Sequence, residues 1–359
     1  SHICGNEDGQ KIFYPNVSQQ DFEKIPGCPI GYWIKKKIFS TFMHKTVSSV
    51  SQSKCGMNTG DNDGMIRLWF EIEFKELNSN AISCEDFHKT GSRYAPYNKG
   101  GRARKWYGNL EYVLKFDIAN YKILLNQGNH LPSRQHYFKS CVTWSDVTSS
   151  SLGVSFRYEP TGTIFDGSAA VAFLEQHDVF YVLGFLNTKY VNLLAKVLNP
   201  TLHFKLGDFD KLPYIKEQKR TIYINSLVDQ NISISKQDWD AHETSWDFER
   251  NPLYEQFLEC MEDDLQNVIP SGTSLEELSK YAVAEAMHPL TTCMHNYKDK
   301  WEVNFMRLHK NEEELNRQFI DIYGLQDELT PDVPLNEITI LQQGEISIEN
   351  DRIKWHDDV

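Results

Sequence analysis

From Ile38 to about Tyr214 the apolar positions come in short aromatic and β-branched runs separated by clusters of Gly, Asn, Asp and Pro. Arg67-Leu-Trp-Phe-Glu-Ile-Glu-Phe74 and Glu111-Tyr-Val-Leu-Lys-Phe116 are the clearest of them. Runs of this length and composition are predicted strands, so this half reads as largely β. Two segments have helical character instead. Phe22 to Phe42 surrounds the Pro26–Pro29 turn. His177 to Leu198 repeats Leu183, Leu186, Tyr190, Leu193, Leu194 and Val197 near the helical period, predicting one long apolar helix stopped by Asn199-Pro200.

After Pro213 the pattern changes to long polar helices, predicted over Ile222 to Asn231, Asn251 to Val268, Ser274 to His288 and Met294 to Tyr323. In the last, Trp301, Phe305, Leu308, Leu315, Phe319 and Ile322 form an apolar stripe, with Glu312, Glu313 and Glu314 placed among solvated positions. Gly324 closes it and Pro331 prevents its renewal. Val333 to Val359 has weak strand signals and many charges. The expected fold class is α+β. A connector over 1–37 leads into a mixed β-rich domain over 38–215, followed by a mainly helical acidic region over 216–330 and an incomplete segment over 331–359.

At 359 residues and 40% hydrophobic content the chain can bury real cores. No apolar run approaches a membrane span and Ser1-His2-Ile3-Cys4-Gly5 does not read as a signal peptide, so a soluble, cytoplasmic protein with no membrane partner is expected. Seven scattered cysteines argue against a disulfide framework, and no Cys-x-x-Cys pair points to zinc; His2-Ile3-Cys4 is a half-site without a partner pair.

Charge changes the picture more. The net charge of −13 argues against a nucleic-acid binder, yet residues 1–215 hold 24 basic and 20 acidic residues, a balance of +4, and 216–359 hold 13 and 30, a balance of −17. Between Lys24 and Gly60 lie six lysines (Lys24, Lys35, Lys36, Lys37, Lys45, Lys54) and no acidic residue; between His88 and Leu110 lie six more basic residues, again with none acidic. The second block interleaves aromatics with Lys99, Arg102, Arg104 and Lys105 on a glycine-rich loop from Arg93 to Asn109. Ammonium groups suit phosphates, while Asn98, Arg102 and Arg104 have the planar forks that match base edges, with Tyr107 beside them. The alternative is a solvated hairpin whose aromatics simply pack.

Gly56-Met-Asn-Thr-Gly-Asp-Asn-Asp-Gly64 is a polar turn able to present Asn58, Thr59 and Asn62, with Arg67 following on the strand; a plain turn fits as well, and the Glu of a calcium loop is missing. Arg134 to Ser145, with Tyr137, Trp144 and Ser145, is a further candidate segment for DNA contact, as is Lys54. Asp63, Glu73 and Lys75 fit the loose Asp…Glu-x-Lys pattern of metal-dependent nucleases, but alternation alone would place Glu71, Glu73 and Lys75 on one polar strand face. A glycine-rich S-adenosylmethionine loop, an Asn-Pro-Pro-Tyr segment, a Gly-x-Ser-x-Gly elbow, a Walker loop and a His-Glu-x-x-His helix do not occur in the sequence, so no catalytic residue, cofactor site or metal site is assigned.

The chain resembles the region downstream of the catalytic domain in PglX-type adenine-specific DNA methyltransferases of BREX phage-defence systems. The resemblance rests on Phe22-Glu-Lys-Ile-Pro-Gly-Cys-Pro-Ile-Gly-Tyr-Trp33, Thr59 to Trp69, Tyr97 to Asn109, Tyr137-Phe-Lys139, Val142-Thr-Trp-Ser145, Gly162 to Asp166, Leu183 to Lys189, Leu198 to Phe204, Ser245-Trp-Asp-Phe248 and Asn311 to Pro331. It implies a target recognition domain akin to those of type I specificity subunits and TaqI-like methyltransferases, then a helical spacer, with S-adenosylmethionine held by a catalytic domain upstream. It implies double-stranded DNA, that upstream domain and other phage-defence proteins as partners. The residue-based alternatives remain a protein-interaction module, for which the acidic half is suited, and a nuclease using Asp63, Glu73 and Lys75.

Overall fold

The computed structural model describes residues 3–5, 11–13, 19–29, 34–147, 152–258 and 287–356. The helix expected over Ser274 to His288 lies outside these except for its last two positions; so do His2, the end of the Phe22 to Trp33 block, and the helix expected over Asn251 to Val268 beyond residue 258. The chain is α+β. Its strands are β1 (Ile3–Gly5), β2 (Lys11–Phe13), β3 (Ser51–Lys54), β4 (Ile66–Leu68), β5 (Tyr94–Asn98), β6 (Tyr112–Lys115), β7 (Cys141–Ser145), β8 (Phe156–Glu159), β9 (Ile164–Phe165), β10 (Ala169–Leu174), β11 (Ile346–Glu349) and β12 (Arg352–Trp355). The helices that matter here are α1 (Asn62–Met65), α2 (Cys84–Thr90), α3 (Ile118–Leu124), α4 (Val179–Leu186), α5 (Lys189–Leu198), α6 (Thr221–Asp240) and α7 (Met287–Ile322). Residues 1–233 with 311–333 form one compact unit, and 234–310 with 334–359 a second. Residues 216–233 and 311–333 therefore count with the β-rich part, a different grouping from the expected division at 215/216.

Two four-stranded sheets build the first unit, in the orders β3-β10-β7-β8 and β4-β6-β5-β9. All pairs are antiparallel except β5 with β9. The chain steps from the second sheet to the first between β9 and β10, across Asp166-Gly167-Ser168. There the Asp166 carboxylate accepts from the Ser168 amide at 2.8 Å and from the Tyr97 hydroxyl at 2.6 Å. Gly56 lies against this step so closely that a Cβ on it would come within 2.1 Å of the Asp166 carbonyl oxygen. The core under the second sheet is aromatic: Phe87 meets Phe116 and Phe138 at ring distances of 5.6 and 5.7 Å, with Tyr97, Tyr137, Leu114 and Phe165 buried around them. Against the first sheet Trp144 stacks on Phe209 at 4.7 Å. Phe185 and Tyr190 pack with Phe319 and Tyr323 in a third cluster.

The predicted single helix over His177–Leu198 is two helices, α4 and α5, broken at Asn187-Thr188. The reason is local hydrogen bonding that apolar periodicity cannot register. The Asn187 amide accepts from the Phe156 N–H at 3.0 Å and donates to the Phe156 carbonyl at 2.9 Å, imitating a strand neighbour for β8. Thr188 then caps α5 by accepting from the Val191 amide. The predicted strand over Arg67–Phe74 is also corrected. Pairing with β6 ends at Leu68, whose N–H donates to the Glu71 carboxylate at 2.8 Å, and tight turns follow at Trp69–Glu71 and Phe74–Glu76. The stripe of α7 is as expected, with Trp301, Phe305, Leu308, Leu315 and Phe319 buried. Gly324 follows it at φ +66°, and the Leu325 N–H donates to the Ile320 carbonyl at 2.8 Å to close the end.

In the second unit β11 and β12 form a hairpin turned by Asn350 and Asp351, both at positive φ, so the tail does carry strand. Trp355 donates its ring N–H to Glu302 at 2.8 Å and lies under the Lys298 ammonium, and His242 pairs with Glu345. Among the described residues no helix is long and apolar enough to cross a membrane.

Candidate nucleic-acid interface

The Tyr97–Asn109 loop turns most of its chemistry inward. Gly100 and Gly101 take φ of +82° and +94°, and Asn109 staples this turn by donating to the carbonyls of Gly100 and Arg102, each at 2.9 Å. Asn98 is buried: its amide donates to Thr143 and Glu159 at 3.0 Å each and accepts from the Gly100 N–H. Arg104 is buried with its Nε donating to the Tyr107 carbonyl at 2.6 Å, and Tyr107 is buried with it. Lys105 reaches Glu312 at 2.6 Å with both side chains under 5% exposed, and the Trp106 ring N–H donates to the same carboxylate at 2.8 Å. Lys99 is ion-paired to Asp166 at 3.2 Å. Arg102 is exposed. Asn98, Arg104, Lys105 and Tyr107, expected as DNA contacts, are therefore inaccessible here, and Glu312, expected in solvent, is one of the residues that hold them in.

Beneath the loop, Arg157 is fully buried and donates to the Gly100 carbonyl at 3.0 Å. Burial pushes the nearby Glu159 carboxyl up to about 8, against the pull of Arg157 and the hydrogen bonds from Thr163 and Asn98. This polar layer fixes the loop's backbone, and no local sequence feature announces it.

A different pair of loops presents polar groups outward. Residues 55–64 are laced to 126–134: the Asn58 N–H donates to Asn129 at 2.7 Å, Asn129 donates to the Gly56 carbonyl at 3.0 Å, Gln127 donates to the Thr59 carbonyl at 2.6 Å, and Ser133 donates to the Cys55 carbonyl at 3.1 Å. Gly128, His130, Leu131 and Ser133 all take positive φ, so the second loop is a tightly specified shape. Asn58 and Asn62 are exposed. Each uses its amide oxygen within the loop, accepting from the Gly60 N–H and the Thr59 hydroxyl, and among the described residues the NH2 of each carries no hydrogen bond. Thr59 itself is buried. Arg67 is half-buried and folds back, donating to the Asp63 and Ile66 carbonyls at 2.6 Å each.

Next to these loops, His136 stacks on Phe173 at a ring distance of 4.8 Å. Phe173 and Val171 share a face of β10, and Lys54 of β3 stands opposite Val171, which sets Lys54 beside His136. Burial, then Lys139 and Lys54, push the His136 imidazole below its ordinary range, and no carboxylate is among the charges acting on it. Arg134 and Lys139 are exposed and Lys54 half-buried. Tyr137 and Trp144, expected as contacts, are buried, donating to the carbonyls of Pro132 and Phe204 at 2.9 Å each, and Ser145 donates to the Gly101 carbonyl at 3.0 Å. Sequence reasoning missed Asn129, for which the Gln-Gly-Asn-His run at 127–130 was the available signal; His136 and Lys139 fell within the Arg134 to Ser145 candidate segment without being singled out. Asp63, Glu73 and Lys75 form no polar strand face. Glu73 and Lys75 pair at 2.5 Å in solvent while Asp63 sits in the first turn of α1, and no metal-holding group of three His, Cys, Asp or Glu occurs among the described residues.

No protein-family model matches the chain. Among curated proteins, the adenine-specific methyltransferase PglX of Lacticaseibacillus casei (strain Zhang) is 31% identical over 334 residues, which is 90% of this chain and 25% of the relative. The adenine-specific methyltransferase BrxX of Escherichia coli O9:H4 (strain HS) is 35% identical over 246 residues, 67% of this chain and 19% of the relative. The chain thus spans a quarter or less of the length of these relatives. Among solved structures, the Type IIL restriction-modification enzyme MmeI in complex with DNA aligns with a TM-score of 0.43 and 9% identity, over 80% of this chain and 34% of that one.

Proposed function

Because the chain belongs to the PglX-type family of adenine-specific methyltransferases, as a segment about a quarter of the length of its Lacticaseibacillus casei relative, we propose that it reads double-stranded DNA sequence for adenine methylation by the whole protein. The observation that carries this reading is the laced pair of loops at 55–64 and 126–134. It holds Asn58 and Asn62 at the surface on a rigid, sheet-supported frame, with unbonded amide donors of the kind that pair with base edges. In a BREX-like phage-defence system in the cytoplasm, such reading would direct N6 methylation to host sites and leave phage DNA unmarked.

S-adenosylmethionine belongs, in this reading, to another part of the whole protein. The Gly100-Gly101 turn leads into no helix, and the Gly100 carbonyl is bonded by Asn109 and Arg157, so it offers a cofactor no cradle. In this reading the segment performs no methyl transfer itself. Residues 216–359, with a balance of −17, would repel DNA and are assigned to contact with protein partners, including the upstream methyltransferase domain and other phage-defence proteins. The test is selection of bound duplexes from a randomised pool by the chain as it stands. Enrichment of one short motif is expected; recovery of an unbiased pool, or of nothing at low salt, overturns the reading.

A further inference from the structure

We propose that Lys54 and Lys139 beside His136, with Arg134 of the same turn, form a clamp for the phosphate backbone of duplex DNA, a deepening that rests on the DNA-reading function above. The grouping comes from three parts of the chain. Lys54 ends β3 opposite Val171 of β10, Phe173 on the same face of β10 carries the stacked His136 ring, and Arg134 and Lys139 flank that histidine in the turn that follows the laced loop. The Ser133 hydroxyl, bonded to the Cys55 carbonyl at 3.1 Å, fixes the turn against the end of β3.

Five cations of the two acid-free blocks are ion-paired, where Lys54 of the first block is not. Lys105 is neutralised by Glu312, Lys99 by Asp166, Lys35 by Glu328, Lys37 by Asp327 and Arg93 by Glu76. Among the described residues no carboxylate pairs with Lys54, Arg134 or Lys139, and the two lysines already act on His136 as uncompensated charge. Lys54 and Lys139, held beside one ring without counter-charges, repel one another, an arrangement relieved when an anion lies across them. A duplex backbone supplies a row of such anions, and it would pass beside the loops bearing Asn58 and Asn62. Backbone contacts then set the register while the amides read base edges.

The clamp predicts a salt signature. Binding of the selected duplex and of a scrambled duplex is followed by fluorescence anisotropy between about 50 and 200 mM salt, where each phosphate contact contributes about 0.9 to the slope of log K against log salt. Lys54→Ala, Arg134→Ala and Lys139→Ala should each flatten the slope by about that amount, equally on both duplexes. Lys37→Ala, which removes an exposed but ion-paired cation, should leave the slope unchanged. Substitution to Gln at the same three positions, which keeps most of the side-chain bulk, should reproduce the Ala effect. If the native chain binds duplex and all six variants keep its slope, the clamp is wrong while the reading function stands. If the native chain binds no duplex, the reading itself falls and the clamp with it.

Discussion

Glu312→Ala tests the assignment of the Lys99–Asn109 loop as an internally anchored element. Glu312 lies on α7 within the stretch that counts with the β-rich unit, and its carboxylate holds both the Lys105 ammonium at 2.6 Å and the Trp106 ring N–H at 2.8 Å. The two ionic side chains are 4% and 2% exposed, so neither has water to fall back on. Removing one partner of a buried pair costs roughly 3–5 kcal/mol, because the other charge stays in a low-dielectric site. Against a typical total of about 5–15 kcal/mol, a loss of that size removes a large fraction of the stability of this unit. Urea unfolding followed by tryptophan fluorescence gives the change directly, since Trp106 reports on the site. Replacing the pair together, Lys105→Met with Glu312→Leu, should recover most of the loss, as buried ion pairs are replaceable by apolar groups of similar volume. If Glu312→Ala costs less than about 1 kcal/mol, in the range of exposed pairs, the pair is not desolvated and the argument fails.

Three further outcomes follow from the same physics. Asn58→Ala and Asn62→Ala should each weaken binding to the selected duplex by about 1–3 kcal/mol with little change on a scrambled one, and equal losses on both would remove these residues from base reading. The Glu159 carboxyl, raised from 4.5 to about 8 chiefly by burial, contributes stability that is full below 4.5 and is lost as pH rises through about 8; Glu159→Gln should abolish this decline, so its urea midpoint should exceed the native one at pH 9 and not at pH 5. Burial opposes the His242–Glu345 pair, yet their mutual hydrogen bond raises the histidine above 6.5 and lowers the carboxyl below 4.5. The stability of this pair should therefore be complete between 4.5 and 6.5 and fade on either side, and a His242→Gln variant whose unfolding follows the native pH profile would contradict it.

Periodicity located the elements whose packing is amphipathic, and α7 is the clearest case, with its buried stripe and its glycine stop. The α+β class was readable for the same reason. Periodicity could not see the break at Asn187, because a side-chain amide bonded to Phe156, 31 positions away, decides it. Nor could it see that the strand ends at Leu68, where Glu71 captures the Leu68 N–H and tight turns follow. The charge analysis found two acid-free blocks but could not see that Lys105 and Lys99 are paired: Glu312 lies 207 positions from Lys105 and Asp166 lies 67 from Lys99. Local charge counting has no access to such partners.

The most direct test of the reading surface is amide hydrogen exchange of the chain with and without its selected duplex. Protection is expected at 51–62 and 126–139, where the laced loops and the cationic turn meet, with little change at 99–110, most of whose groups face inward. Protection confined to 99–110, or absent from both loops at saturating duplex, would contradict this surface.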